Sequence, residues 1–264
     1  MSLRPRLHAD PLTIYFHGLP GGPRELGLFG PQVEVRTVDW QFPDRSLSQS
    51  LHGNERFALI AADLQKRFPN TPLHLVGFSL GAAAALRTAL YLGPQAESID
   101  LVSAAAPLQL GPYLSEMAGA SVFKIARGAP ALFQIITRAQ SVIASRAPGK
   151  LYDALFSSAR GYDRQLRYDP VFRPKMLEVL AQALGPDREI YAGEIRDYVR
   201  DWSDVLERVE QPVSIHHGSD DNWSPVQMAH DLAAALPKIE QFRIYEGASH
   251  YSCLEAYLRE TDPR

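Results

Sequence analysis

Hydrophobic residues in the first part of the chain occur in short runs rich in β-branched and aromatic side chains, each followed by glycine, proline or polar residues. Such runs predict buried strands. They occupy residues 12–16, 33–38, 73–78 and 99–105. Residues 48–68 instead show apolar positions at helical spacing, and the alanine-rich stretch 80–92 stops at Gly93-Pro94, so both predict helices. Strands that alternate with helices in this way predict a parallel sheet covered by helices on both faces.

The alternation is interrupted between residues 108 and 210, where glycine and proline break the chain into several predicted helices. It returns with strands at 212–218 and 241–245, each followed by a helix. A helical insertion in an α/β chain is typical of a lid, which covers the C-terminal edge of the sheet, excludes water and shapes a pocket. We therefore predict a core domain formed by residues 1–107 and 211–264 and a helical lid formed by residues 108–210.

The composition is that of a soluble globular protein: 45% of the 264 residues are hydrophobic, 22% are charged, and the formal net charge is −3. Nucleic acids and anionic membranes attract a net basic surface, so this near-neutral balance predicts that the protein binds neither of them. The expected partner is a small-molecule substrate, and the expected oligomeric state is a monomer or a homodimer. The apolar run 12–16 is too short for a signal-peptide core or a membrane span, which favours a cytoplasmic location. Cys253 is the only cysteine, which excludes disulfides and cysteine-rich zinc sites.

The strongest candidate for chemistry is the motif Gly77-Phe78-Ser79-Leu80-Gly81, which lies between a predicted strand and a predicted helix. A nucleophile elbow needs such a turn, with glycines where side chains would strike neighbouring backbone. Ser79 then stands at the helix N-terminus, where free N–H groups favour a developing oxyanion. The motif predicts a nucleophilic serine; a chance match in a strand–turn–helix is the alternative.

A serine hydroxyl becomes a good nucleophile only beside a base and an orienting acid. Candidates follow the last two predicted strands, at the sheet edge that carries Ser79. His250 would take the serine proton and return it to the leaving group, while Asp221 would fix the tautomer of the imidazole and stabilise its cation. The order Ser79, Asp221, His250 is the one expected for this architecture. The neighbouring Asp220 stays open as the acid; Asp221 is preferred because it leaves room for the turn after Gly218.

A site of this kind also needs an oxyanion hole, and the glycine-rich loop His17–Gly22 after the first strand can provide part of one. The backbone N–H of Leu19 would supply one donor and that of Leu80 the other. A phosphate-binding loop is the alternative, but neither Gly-Lys-Ser nor Gly-Lys-Thr follows.

With these motifs in this order, the chain resembles the α/β-hydrolase fold family, and in particular its lidded serine hydrolases. The motifs lie at His17–Gly22, Gly77–Gly81, Gly218–Pro225 and Gly247–His250. The resemblance implies an α/β-hydrolase fold with a mostly parallel sheet of six strands, helices on both faces and an inserted helical lid. It also implies a reduced N-terminal hairpin, because eleven residues precede Leu12.

The resemblance also carries site residues and excludes some reactions. It implies no metal and no cofactor. The catalytic triad that it implies is Ser79, Asp221 and His250. The oxyanion hole that it implies is formed by Leu19 and Leu80. Relatives that hydrolyse epoxides or carbon–halogen bonds have aspartate at the elbow, so Ser79 argues against those reactions.

The predicted function is hydrolysis of an ester, lactone or thioester through an acyl-enzyme on Ser79. Hydrolytic C–C cleavage of a diketone, lyase or transferase chemistry with the same residues, and a non-catalytic ligand-binding protein are the alternatives. Residues 121–176 hold 10 basic and 3 acidic side chains. The simpler explanation is that they pair with the acidic stretch 177–211 or face solvent. The alternative is that they attract a largely apolar substrate that carries a carboxylate. The candidate pocket residues are Gly18, Trp40, Phe78, Phe123, Phe133 and Trp223.

Three residues outside these motifs are predicted to be structural. His216 and His217 lie at the end of a strand without a third histidine at ligand spacing, so we interpret them as structural histidines rather than metal ligands. Cys253 is interpreted as a small buried hydrophobe.

Overall fold

The computed structural model describes residues 11–30, 37–39 and 53–261. Within these residues the centre of the molecule is a six-stranded parallel sheet with strand order β2-β1-β3-β4-β5-β6. The strands are β1 (Leu12–Phe16), β2 (Thr37–Asp39), β3 (Leu73–Phe78), β4 (Ala96–Val102), β5 (Val213–Gly218) and β6 (Ile239–Tyr245). The predicted parallel sheet is confirmed. Residues 1–10, where the resemblance implies a reduced hairpin before β1, lie outside the described residues.

The core helices follow the strands as the alternating pattern predicted. They are α1 (Asn54–Arg67), α2 (Gly81–Leu92), α9 (Val226–Ala235) and α10 (His250–Thr261), numbered with the helices given below. The alanine-rich α2 packs against β1, β3 and β4, while α10 packs against β4 and β5. Small side chains on α2 allow this close packing, and residues such as Ala82, Ala85 and Ala89 are fully buried.

Two predicted elements differ at their ends. The strand predicted over 99–105 runs from Ala96 to Val102. It ends there because Ser103 has a positive φ of 46°, which is incompatible with an extended strand. Of the strand predicted over 33–38, only residues 37 and 38 lie within the described part, in β2.

Between β4 and β5 the described chain forms helices and turns, as predicted for residues 108–210. The helices are α3 (Ala120–Gly128), α4 (Pro130–Arg146), α5 (Pro148–Leu155), α6 (Asp163–Leu166), α7 (Phe172–Leu184) and α8 (Arg188–Tyr198). Short 3₁₀ helices lie at Pro23–Gly27, Gly93–Gln95, Tyr113–Ser115 and Ser203–Arg208. In the described ranges, every helix is too short or too polar to traverse a lipid bilayer. The division into a core and a lid domain stays a prediction.

The strand order places a topological switch beside β1. The chain passes from β1 outward to β2, then returns to form β3 on the other side of β1. In open α/β sheets, the crevice at the carboxyl ends of two such strands is where ligands bind. The loops that follow β1 and β3 are those that carry Leu19 and Ser79.

The approach of α2 to the loop after β1 depends on a glycine. A Cβ atom added at Gly81 would lie 2.1 Å from the Phe16 carbonyl oxygen and 2.5 Å from that of His17. Since both contacts are with backbone, the helix would have to move away from the sheet.

We therefore expect Gly81→Ala to lower the free energy of unfolding by about 1–3 kcal/mol, the usual cost of overpacking. Gly193→Ala, on α8, is the matched control because an added Cβ there meets no atom within 4 Å. The control should leave stability unchanged or raise it by up to about 1 kcal/mol, as alanine favours helix over glycine. Urea unfolding of both variants checks this, and equal stabilities would contradict the close approach at Gly81.

Candidate active site

Ser79 lies in a tight turn between β3 and α2. Its φ of 56° is in the left-handed region, which non-glycine residues occupy at a cost of about 1–3 kcal/mol. Hydrogen bonds hold the turn: the Ser79 N–H donates to the Val102 carbonyl at 2.9 Å, and the Ala105 N–H donates to the Ser79 carbonyl at 3.1 Å. The sequence therefore folds into the strained turn that the glycine-flanked motif predicted.

The side chains of Ser79, His250 and Asp221 form a hydrogen-bonded chain. The distance from Ser79 Oγ to His250 Nε2 is 2.9 Å, and that from His250 Nδ1 to Asp221 Oδ2 is 2.8 Å. Because an ionised carboxylate only accepts, Nδ1–H donates to Asp221 and Nε2 is left to accept the serine proton. All three residues are at least 95% buried. Their order and tautomer suit transfer of a proton from the hydroxyl to the imidazole.

Asp221 is held as an anion by its surroundings. Its Oδ1 accepts hydrogen bonds from the backbone N–H of Trp223 at 2.8 Å and of Ser224 at 3.0 Å. Burial by itself raises the pKa of Asp221, but the charge and hydrogen bond of His250, with further help from His217 and Ser224, outweigh it and lower the pKa below its usual value. A charged Asp221 stabilises a protonated imidazole.

The structure distinguishes the two adjacent aspartates. The Asp220 side chain is exposed and accepts a hydrogen bond from the Ser219 hydroxyl at 3.4 Å, whereas Asp221 contacts the imidazole. The Asp220 backbone N–H donates to the Ala248 carbonyl at 2.9 Å, which joins the loop after β5 to the loop after β6. Asp220 thus stabilises the loop through its backbone, and Asp221 contacts His250 through its side chain.

Aromatic rings fix the plane of the His250 imidazole. The Trp223 ring stacks on it with centroids 5.3 Å apart and an interplanar angle of 16°, and the Phe78 ring lies 4.8 Å away. The Ser103 hydroxyl donates to the His250 carbonyl at 3.1 Å. The imidazole is therefore held by packing as well as by Asp221.

The two histidines at the end of β5, His216 and His217, make structural contacts. His217 is fully buried, and its Nε2–H donates to the Ser224 carbonyl at 2.7 Å. Burial lowers the pKa of His217, which keeps it neutral. His216 Nδ1 lies 3.2 Å from the Tyr245 hydroxyl.

A cavity of about 510 Å³ adjoins the Ser79 hydroxyl. It is lined by Leu19, Pro20, Ser79, Leu80, Met117, Ala118, Gly119, Ser121, Val122, Phe123, Gln140, Leu151, Ala154, Leu155, Ser157, Ser158, Leu180, Leu184, Tyr191, Ile195, Trp223 and Ser224. Across the described residues, the backbone N–H groups of Leu19 and Leu80 donate to no protein acceptor. Both residues line the same cavity as Ser79, and free N–H donors are what a developing oxyanion requires.

The predicted pocket residues fall into four groups. Phe123 and Trp223 line the cavity. Gly18 and Phe78 lie behind Ser79 instead: a Cβ at Gly18 would be 2.8 Å from the Phe78 ring and 3.1 Å from Ser79 Cβ, so Gly18 is a close-packing residue. Phe133 is buried on α4 away from the cavity lining. Trp40 lies outside the described residues.

Sequence analysis missed Glu25, which holds the loop after β1. Glu25 is fully buried, and its Oε2 accepts hydrogen bonds from the Tyr15 hydroxyl and the Gly18 N–H, each at 2.9 Å. Burial raises the pKa of Glu25, although His17 and the two donors oppose the shift. In the sequence, Glu25 next to the basic Arg24 resembles an exposed charged stretch. Arg24 itself is on the surface, where it forms an ion pair with Glu178.

Asp163, on α6, was also missed. It is fully buried, and it accepts hydrogen bonds from the N–H groups of Tyr251 at 3.0 Å and Ser252 at 2.7 Å. These are free donors at the N-terminus of α10, the helix that begins with His250, so Asp163 caps that helix. Burial raises the pKa of Asp163 against these hydrogen bonds.

The sequence pattern of the alpha/beta hydrolase fold family matches residues 14–257. The chain therefore belongs to the alpha/beta hydrolase fold family, which confirms the resemblance and the predicted fold. No curated protein matches the sequence significantly.

Solved structures share this fold at low sequence identity. A bromoperoxidase from Bacillus anthracis has a TM-score of 0.65 and 17% identity, with 96% of this chain and 90% of that chain covered. Est816, described as an N-acyl homoserine lactone degrading enzyme, has a TM-score of 0.61 and 14% identity, with coverages of 96% and 92%. The esterase RhEst1 from Rhodococcus sp. ECU1013 has a TM-score of 0.56 and 16% identity, with coverages of 95% and 90%. At these identities the likeness shows the fold alone.

The contact between Asp221 and His250 leads to a test with a matched neighbour. We expect Asp221→Asn to slow the reaction of Ser79 with a fluorophosphonate probe by about 10³–10⁴-fold, since an amide favours the wrong imidazole tautomer. Asp220→Asn should change the rate by less than about twofold, because its side chain faces solvent. Time-resolved labelling measures both rates. Equal slowing in the two variants would remove Asp221 from the orienting role.

The buried carboxyl of Glu25 predicts a pH-dependent stability. Its folded-state pKa is raised, so its contribution favours the folded state below its unfolded value of 4.5 and is lost as the pH rises through the folded value. Glu25→Gln cannot ionise. We expect the stability of the variant relative to the wild type to increase as the pH rises from about 5 to about 8, by about 1.4 kcal/mol for each unit of raised pKa.

Urea unfolding across this pH range measures the effect of Glu25→Gln. Glu55→Gln, at an exposed position on α1, shows what removing a surface carboxylate does under the same conditions. A wild-type-to-Glu25→Gln difference that does not change with pH would contradict the raised pKa.

Proposed function

We propose that this protein is a serine hydrolase that cleaves an ester-type acyl substrate, either a carboxylic ester, a lactone or a thioester. The observation that carries the proposal is the hydrogen-bonded chain Ser79–His250–Asp221 at the wall of a cavity. Esterase and lactone-degrading enzymes among the similar structures support the choice of substrate class.

In the proposed first step, Ser79 Oγ attacks the acyl carbonyl carbon while His250 Nε2 takes the hydroxyl proton. Asp221, ionised, stabilises the imidazolium that forms. The carbonyl oxygen becomes an oxyanion and is stabilised by the N–H groups of Leu19 and Leu80, each of which contributes on the order of 10²–10³-fold to the rate. Collapse of this intermediate breaks the bond to the leaving group, which receives the proton from His250.

In the proposed second step, His250 removes a proton from water as the water attacks the acyl-enzyme. The second tetrahedral intermediate collapses to release the acid and to return the proton to Ser79 Oγ. No metal or cofactor is needed for either step.

The cavity supports an uncharged acyl or alcohol group. Its volume of about 510 Å³ falls in the usual range for small-molecule sites, and none of the described residues that line it is charged. The basic residues of 121–176 do not line this cavity, so they do not favour a substrate that carries a carboxylate there. We propose that residues 108–210 act as a lid, because Phe123, Leu155 and Leu180 in that range line the same cavity as Ser79.

A panel of p-nitrophenyl esters with increasing acyl length tests the proposal. We expect kcat/KM to rise by up to about fourfold for each CH₂ that enters the cavity, since burial of one CH₂ contributes about 0.8 kcal/mol. Leu151→Trp, at the cavity wall, should shorten the longest acyl chain that is accepted. Lys150→Trp, next to it but outside the lining, is the matched control.

Ser79→Ala should abolish both ester turnover and fluorophosphonate labelling. Labelling of the wild type without turnover of any ester would redirect the proposal to hydrolytic C–C cleavage or another acyl substrate. Labelling that persists in Ser79→Ala would overturn Ser79 as the nucleophile. Absence of labelling in the wild type would favour a ligand-binding protein.

A further inference from the structure

Helix α4 exposes an apolar side to solvent. Its exposed large apolar residues are Leu132, Ile135, Val142 and Ile143, with between 39% and 62% of their surface accessible. At 3.6 residues per turn these four side chains span about 100° of the helix circumference. We call them the outer face of α4. Phe133 and Ala144 are buried on the opposite side, so the helix is apolar toward both the interior and the solvent.

The stretch of chain that contains the outer face is rich in positive charge. The sequence contains no acidic residue between Glu116 and Asp153, but it contains five basic ones. These five are Lys124, Arg127, Arg138, Arg146 and Lys150. All five are exposed, and none of them forms an ion pair with another described residue. An apolar strip with a cationic border is the pattern of helices that lie in a lipid–water interface.

We propose that α3 and α4 dock on an anionic lipid surface, with the outer face of α4 inserted among the acyl chains and the five cations at the headgroup phosphates. The overall charge of −3 argued against a membrane partner, but headgroups interact with charges within about one Debye length, near 10 Å at 0.1 M salt. Only the local charge of the docking surface counts at that range.

Charge also distinguishes a lipid surface from a second copy of the chain. A two-fold symmetric contact through the outer face would bring the same five cations of each copy close together. Such a contact has no acidic residue from α3, α4 or α5 up to Lys150 to compensate them. An anionic lipid surface satisfies both the apolar strip and the cations.

The surface lies on the outside of the cavity wall. Val122 and Phe123 of α3 and Gln140 of α4 line the cavity from the inner side of the same helices. A docked molecule would hold the cavity about one helix diameter, 10 Å, from the lipid. Docking does not depend on the proposed hydrolase function, and it can be measured with Ser79→Ala.

Co-sedimentation of the full chain with vesicles tests the proposal. The vesicles are phosphatidylcholine alone or phosphatidylcholine mixed with phosphatidylglycerol, at about 0.02 M and about 0.5 M salt. The apolar variant is Ile135→Asp/Val142→Asp and the charge variant is Arg138→Glu/Arg146→Glu. The matched control is Leu59→Asp/Tyr91→Asp. It alters surface residues of α1 and α2 that are 41% and 42% exposed. Circular dichroism and urea unfolding verify that each variant is folded.

We expect the wild type and the control to bind anionic vesicles at least about tenfold more tightly than neutral ones at low salt, and to lose most of that binding at high salt. Both surface variants should bind at least about tenfold more weakly. The proposal is overturned if the wild type ignores anionic vesicles, or if folded surface variants bind as the wild type does. A wild-type dimer that dissociates in Ile135→Asp/Val142→Asp would also overturn the proposal and would identify the outer face as an interface between copies. Binding of an acidic protein or a nucleic acid without binding of vesicles would overturn it as well.

Discussion

The hydrogen bond between Ser79 Oγ and His250 Nε2 joins residues 171 positions apart in the sequence, and the geometry of the whole sheet bears on that one contact. Parallel strands end at the same edge, so the loops after β3, β5 and β6 all emerge there. The loop after β6 must still reach back across β5 and β4 to β3. It does so by packing on the loop after β5, where a Cβ at Gly218 would lie 2.4 Å from the Ala248 carbonyl oxygen. Close backbone packing between loops thus delivers the imidazole to the serine.

The helical segment between β4 and β5 completes the support of His250. The Asp163 carboxylate caps α10 at the residues that follow His250, and the Tyr162 N–H donates to the Gly247 carbonyl at 2.9 Å. Gly161, with a φ of 49°, allows this approach, because an added Cβ would lie 2.3 Å from the same carbonyl oxygen. A movement of the segment that broke these contacts would expose a buried carboxylate and free the start of α10. The position of the His250 imidazole therefore depends on the helical segment. A lid that only covered the cavity would not need these contacts.

The parts of the site that sequence reasoning reached are those whose signals are local. The turn at Ser79 is encoded by two glycines within two residues, and Asp221 and His250 follow strands that periodicity identifies. Glu25 and Asp163 gave no such signal. A buried acid looks like an exposed one in sequence, and the amides that Asp163 accepts from are 88 and 89 residues away. The direction of a ring is equally hidden: Phe78 belongs to the elbow motif, yet it packs beneath His250 and does not face the cavity.

The net charge of a chain averages over distances much longer than those at which charges act, so it does not describe any one surface. The inner sides of α3 and α4 contribute uncharged residues such as Phe123 and Gln140 to the cavity, while their outer sides carry cations. The local charge on these helices therefore differs from that of the whole chain, which is near neutral. The exposure of Ile135 and Val142 between those cations has a cost in water, because apolar surface gains free energy when it is buried. Folding of this chain alone does not recover that free energy. Docking on an apolar, anionic surface does, and it uses the same helices that close the cavity.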